Sequence, residues 1–295
     1  MDFTNGNKLL EICKSENIKI SEAMIRREAE LFSLDKKEIS DKMKSRFYVM
    51  RESVEEAKNG ERDMLGGYIG GESRAMLSGI AERGALGGVI SLASAYAMGV
   101  IEVNASMGRI VAAPTAGSSG VLSGILVALS EKYGFTDDEL TLALFNAGAV
   151  GYLISRNATV AGAEGGCQAE VGAASAMAAS AVCELFGGTP EQCLCAAADA
   201  ISNILGLVCD PIGGLVETPC QKRNAMGVAN AVICAEIALS SSGAPIVPFD
   251  EVVAVMKNVG ESMPAQLRET SLGGLAASPS AKKAVPRCKN CNGCK

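Results

Sequence analysis

The chain contains no histidine and no tryptophan, and aromatic residues make up only 4% of its 295 positions. Without imidazole, both the commonest general base and the commonest nitrogen ligand for metals are missing. Ser–His–Asp and Cys–His nucleophiles and histidine-ligated zinc are therefore excluded within this chain. A proton shuttle must use Lys, Glu, Asp, Tyr, Cys or Ser, or come from another polypeptide. Few aromatics combined with abundant Gly and Ala predict helices packed closely across small residues. No long basic run occurs before the last dozen residues and the formal charge is −6, which argues against a nucleic-acid surface and for a small-molecule partner. The opening MDFTNGNKLL lacks an apolar signal core. The longest uncharged run, Ile110 to Ser130, contains Pro114, Gly117, Ser118, Ser119, Gly120 and Gly124, so it reads as a loop entering a buried helix and not as a membrane span.

Cysteine, by contrast, is plentiful. Eleven residues, an odd number without the short disulfide framework of secreted domains, place the chain in a reducing cytoplasm with thiols free or metal-bound.

Residues 20–60 are charged, with apolar positions every three or four residues in SEAMIRREAELF and ISDKMKSRFYVMRESVEEAKNG, ending at Asn59-Gly60. This predicts an outer helical layer over 1–60. From Gly66 onward the texture turns to Gly, Ala and Ser, predicting a helical core over 61–277. Thr136 to Glu139 and Thr189 to Gln192 read as capping boxes, the second with Pro190 at the first helical position. Gly187-Gly188 closes a helix running from about Gln168 to Phe186, and Asp250 reads as the cap of a helix ending near Gly260. Alternating strand patterns are scarce. The expected fold is mainly α: one large helical catalytic domain over 1–277 with Gly-rich loops, followed by a flexible cysteine-containing tail over 278–295.

Three stretches carry the chemistry. Cys167, Cys209 and Cys220 sit in Gly- or Pro-punctuated turns, GAEGGCQAE, LVCDPIGG and ETPCQKRN. Taken singly, each thiol reads as a small buried apolar side chain; the shared loop context is what points to a metal cluster. A [4Fe–4S] cube held by three thiolates leaves one iron open as a Lewis acid. The segment from Ala112 to Gly120 runs into a helix-like VLSGILVALS, and Thr115, Ala116, Gly117, Ser118 and Ser119 offer hydroxyls, close backbone approach and a helix N-terminus to a carboxylate or a phosphate. An ordinary Ser cap after a turn fits the same residues. Lys222 and Arg223 either bind a carboxylate or form a solvated pair. Cys193 and Cys195, two apart on one helix, point to different faces and, with Cys13, Cys183 and Cys234, are assigned to packing. The tail places Cys288, Cys291 and Cys294 in a C-x2-C-x2-C rhythm that ends before a fourth ligand.

The segments VNASMGRIVAAPTAGSSGVLSGIL, AGAEGGCQAEVGAASAMAA, LVCDPIGGLVETPCQKRNAMGVANAV and LRETSLGGLA, in this order, closely resemble the iron–sulfur-dependent L-serine dehydratases, specifically the α chain of the two-chain type. The likeness covers roughly residues 60 to 276. The cysteine separations, 42 from Cys167 to Cys209 and 11 from Cys209 to Cys220, match the family's three cluster ligands. The resemblance implies a [4Fe–4S] cluster on these thiols, no pyridoxal phosphate, and conversion of L-serine to pyruvate and ammonia in serine degradation and gluconeogenesis. Oxygen sensitivity follows from an open iron. It also implies a separate β chain in a hetero-oligomer, from which the missing base can come. In some single-chain relatives a C-terminal cysteine occupies the open iron. Here three cysteines stand instead, so a fourth ligand from Cys288, Cys291 or Cys294 stays open, within reach of a linker of about 40 Å when extended.

Three rivals remain. A pyridoxal-phosphate dehydratase would need a lysine-centred motif, and none is evident. A related [4Fe–4S] lyase acting on cysteine is the nearer competitor. A non-catalytic iron–sulfur or redox module would close all four iron corners and need no anion loop.

Overall fold

The computed structural model describes residues 2–285. Among these it contains thirteen α-helices and no strand, only an isolated parallel bridge between Cys209 and Arg268. The fold is mainly α, and among the described residues no helix is long and apolar enough to cross a membrane.

Small residues set the interior. Helices α5 (Val89–Ala105) and α6 (Ser119–Tyr133) lie against each other so closely that a Cβ on Gly120 would strike the Ala97 carbonyl and one on Gly124 would come within 2.5 Å of the Ala93 carbonyl. Two glycines one turn apart thus make a contact that no larger residue allows. Against this pair pack α9 (Ala173–Leu185), on α6, and α11 (Cys220–Leu239), on both helices; α7 (Asp137–Asn157) and α10 (Pro190–Ser202) pack in turn on α9. Every residue of α9 from Ala173 to Glu184 is buried.

The outer helices are α1 (Gly6–Glu16), α2 (Ile20–Phe32), α3 (Lys36–Asn59) and α4 (Glu72–Arg83). Large side chains reach the same core as α9 from this layer: Phe47 and Val54 on α3, and Phe3 on the segment before α1, are fully buried. Each such large side chain contributes about 1.5–3 kcal/mol. One polar network is buried with them. Glu184 accepts from the Ser21 N–H and the Asn146 amide, and Ser180 donates to Asn146, joining α2, α7 and α9.

Local signals hold where the partner is local. Both capping boxes form, at Thr136 and Thr189, and a third joins Asp35 to Glu38 at the start of α3. Asp250 differs from expectation. It lies inside α12 (Phe249–Ser262), and its carboxylate accepts from the Gly6 and Asn7 N–H groups at 2.6 and 3.0 Å, capping α1 from across the chain. Together with Asn5, which accepts from Lys8 N–H, it satisfies three of that helix's orphan donors. The chain continues beyond 277 into a short helix, α13 (Pro279–Ala284), which is capped by Ser278 and buries Ala281. Cys288, Cys291 and Cys294 lie outside the described residues.

Candidate active site

Three helix beginnings meet at the predicted site. Cys167 follows the one-turn helix α8 (Gly162–Gly165) and Gly166, and it precedes a π-helical turn over Gln168–Gly172 that runs into α9. Cys220 is the first residue of α11, and the 3-10 turn Ala116–Ser118 opens α6. Each helix directs its unsatisfied N–H groups and positive dipole end toward this region, which favours negative charge there. Cys209 arrives on an extended segment: its N–H donates to the Leu267 carbonyl and its carbonyl accepts from Glu269 N–H.

The thiols are buried and close enough to interact. Cys167 and Cys209 share one apolar cluster with Val171. Burial pushes the Cys167 thiol up to about 12, with Arg223 opposing. Burial, then Cys167 and Glu170, pushes Cys220 up to about 12 as well. Cys209 is driven well above the ordinary thiol range by burial and by the charges of Glu170 and Cys167. Thiols raised in this way keep their protons and are poor free nucleophiles; burial raises Cys13 and Cys234 in the same way, so the distinguishing feature of these three is that they interact with one another.

Glycines make room beside them. A Cβ on Gly162 would sit 3.0 Å from Cys209 Sγ and 2.8 Å from Glu170 Oε2. Gly166 has φ +73°, and a Cβ there would meet Met263 Sδ at 2.7 Å, so only glycine fits this turn. Among the described residues no three His, Cys, Asp or Glu side chains converge in the manner of a single bound ion. Three buried thiols with glycines beside them are a donor set of the kind that thiolate-ligated clusters use.

Arg223 and Lys222 part company. The Arg223 guanidinium pairs with Asp210 at 2.8 Å, donates to the Val208 carbonyl at 2.8 Å, and faces Cys167. Asp210 in turn accepts from Leu275 N–H at 2.6 Å. Arg223 is therefore a fixed positive charge beside the thiols. Lys222 is exposed, near Glu72.

The residues from Thr115 to Ser119 lie beside the thiols. Asn224, one turn into α11, donates to the Gly117 and Cys220 carbonyls and accepts from Gly120 N–H, bolting the loop to the start of that helix. The link to the π turn is Glu170, which sequence reasoning did not single out. Its carboxylate accepts from Thr115 Oγ1 at 3.1 Å and lies 3.8 Å from Cys209 Sγ. Burial, and next the charge of Glu269, raises its carboxyl above the usual range. The available signal was its place three residues after Cys167 in a chain without histidine.

A further support was equally hidden. Glu217 is buried and accepts from the Gly66 and Tyr68 N–H groups at 2.6 and 2.7 Å, fastening the segment before α4 to the loop that carries Cys220.

Residues 15–276 match the family model described as serine dehydratase alpha chain. The chain is 45% identical over 282 residues to a probable L-serine dehydratase, alpha chain, of Bacillus subtilis, covering 95% of this chain and 93% of that one. It is 54% identical over 167 residues to the L-serine dehydratase, alpha chain, of Peptoniphilus asaccharolyticus, 57% of each. A Streptomyces coelicolor L-serine dehydratase matches at 43% over 161 residues, 53% of this chain and 35% of that longer one. This chain belongs to the serine dehydratase alpha chain family.

Proposed function

We propose that this chain, with a separate β chain, dehydrates L-serine in the cytoplasm to give pyruvate and ammonia. Cys167, Cys209 and Cys220 would hold a [4Fe–4S] cluster. When bound, that cluster supplies a Lewis acid for the substrate hydroxyl. The single observation that carries the reading is the meeting of these thiols with the Thr115–Ser119 loop through Glu170.

The chain's own residues take the following parts. The N–H groups and hydroxyls of the turn from Thr115 to Ser119 hold the substrate carboxylate at the beginning of α6. Glu170, which is hydrogen-bonded to Thr115, takes the α-ammonium. Arg223 and the starts of α9 and α11 offset the negative charge of the thiolate site. The Cα proton leaves to a base; with imidazole absent here, the partner chain is one source for it beside this chain's own side chains. Loss of that proton and of hydroxide releases water and leaves an aminoacrylate, which tautomerises to an imine and hydrolyses to pyruvate and ammonia.

The test is anaerobic purification with and without the β chain, followed by iron and sulfide analysis and by pyruvate assays on L-serine and L-cysteine. Iron, sulfide and serine-dependent pyruvate together support the reading. Metal-free protein that still turns over serine contradicts it, and preference for L-cysteine transfers the site to the related lyase.

A further inference from the structure

On the far side of α8 from the thiols lies a cavity of about 370 Å³. The helix serves both sites: Gly162 abuts Cys209 Sγ, while Ala163 and Glu164 line the cavity. The opposite wall comes from Lys257 and Glu261 on α12 and from Arg268, the residue bridged to Cys209.

Its cations are poorly partnered among the described residues. There Arg268 Nε is buried without an acceptor, and the guanidinium's hydrogen bond to the Glu164 carbonyl is long at 3.4 Å. A buried guanidinium N–H without an acceptor is unfavourable and marks a place where an acceptor from outside the chain fits. Lys257 is exposed and forms no ion pair among the described residues. Thr159 and Thr270 add hydroxyls to the lining. Glu164 and Glu261 line the same space, so a polyanion meets stronger repulsion there than a small monoanion does.

We propose that this cavity binds a small carboxylate-bearing molecule, separately from the thiol site, with the carboxylate held between Arg268 and Lys257. A planar guanidinium is suited to carboxylate. The carboxylate can belong to an α-amino acid, whose ammonium would meet Glu164 or Glu261, or to a 2-oxo acid. The position has a consequence for the neighbouring site. A ligand drawn to Arg268 acts on the backbone segment whose Leu267 carbonyl and Glu269 N–H hold Cys209.

The experiment is calorimetric titration of the air-excluded full chain with its β partner, using L-alanine, pyruvate and inorganic phosphate. L-Alanine has no hydroxyl to lose, so binding is read without turnover. Lys257→Gln lies on an exposed helix face and leaves the thiol site alone, whereas Thr115→Val weakens only the substrate loop. The inference expects saturable binding of L-alanine or pyruvate that Lys257→Gln weakens by about tenfold or more and Thr115→Val leaves in place. L-Alanine alone identifies the amino acid class; pyruvate alone identifies the oxo acid class. Binding that is unchanged in Lys257→Gln, absent for both ligands, or matched by phosphate overturns it. Because the readout needs no iron, failure of the cluster assignment leaves this result interpretable.

Discussion

Thr115 Oγ1 donates to Glu170 Oε1 across 3.1 Å, tying the turn that opens α6 to the π turn that begins after Cys167. The two segments lie 55 residues apart in sequence, and the hydroxyl–carboxylate contact fixes their spacing. If Glu170 takes the substrate ammonium, Glu170→Gln keeps the shape and removes the charge. Loss of one charge-assisted hydrogen bond, about 1.5–3 kcal/mol, corresponds to roughly a 10- to 150-fold rise in KM for L-serine. Steady-state kinetics with iron content measured in parallel checks this, and an unchanged KM at full iron content removes the assignment.

Arg223, partly buried, pairs with the buried Asp210 beside the thiols. Removing one partner leaves the other charge buried and uncompensated, which costs about 3–5 kcal/mol. Arg223→Met should therefore lower the denaturation midpoint markedly and, by stripping positive charge from Cys167, reduce iron retention. Chemical denaturation and iron analysis of the same preparation report the two effects separately.

Two glycines should respond in opposite directions. Gly120→Ala drives a methyl into the Ala97 carbonyl and should destabilise by about 1–3 kcal/mol while displacing the Thr115–Ser119 loop. Gly148, within α7, has only Met24 Cε near its missing Cβ, at 3.9 Å. Gly148→Ala should stabilise by about 0.5–1 kcal/mol, because alanine is the better helix former. Thermal unfolding of both variants provides the comparison.

Glu102 is 3% exposed, accepts from Ser73 N–H and the Gln221 amide, and faces Glu72 and Arg74. Burial, its largest influence, raises its carboxyl above the ordinary 4.5. The folded state then keeps a proton that the unfolded chain has released. The associated stabilisation is complete below the ordinary value and is lost as pH climbs through the raised one. The stability of wild type minus that of Glu102→Gln should accordingly fall as pH rises from 4.5 through that window, as ionisation penalises wild type alone. Unfolding midpoints measured across the range test the sign, and a rise of wild type relative to Glu102→Gln with pH contradicts it.

Much of the helical layout was legible because its determinants are local. Thr136 with Glu139 and Thr189 with Gln192 each satisfy one another within a single turn, so the pattern alone locates the helix start. The Asp35–Glu38 box carries the same local signal at the start of α3. Asp250 shows the limit. Its helical context reads as a cap for its own helix, yet its partners are Gly6 and Asn7, more than two hundred residues away. The site divides in the same way. Thiols in glycine-punctuated turns can be read directly. Glu170, Asn224 and Glu217 act through loops that become neighbours only after folding.

Asp250 offers a clean stability test because it is remote from the thiols in sequence and caps only α1. Asp250→Ala should cost about 0.5–2 kcal/mol, the usual loss for a helix cap, with pyruvate formation per iron unchanged. Denaturant unfolding beside the activity assay checks both halves.

The central claim is that Cys167, Cys209 and Cys220 act together as the ligands of one iron–sulfur cluster. The most direct measurement is iron and sulfide content together with serine-dependent pyruvate formation for Cys167→Ser, Cys209→Ser and Cys220→Ser, each purified without air in complex with the β chain, with Cys193→Ser as the buried-thiol control. The account predicts that each of the three variants loses cluster and activity together while the control keeps both; full iron content and full turnover in all three would contradict it.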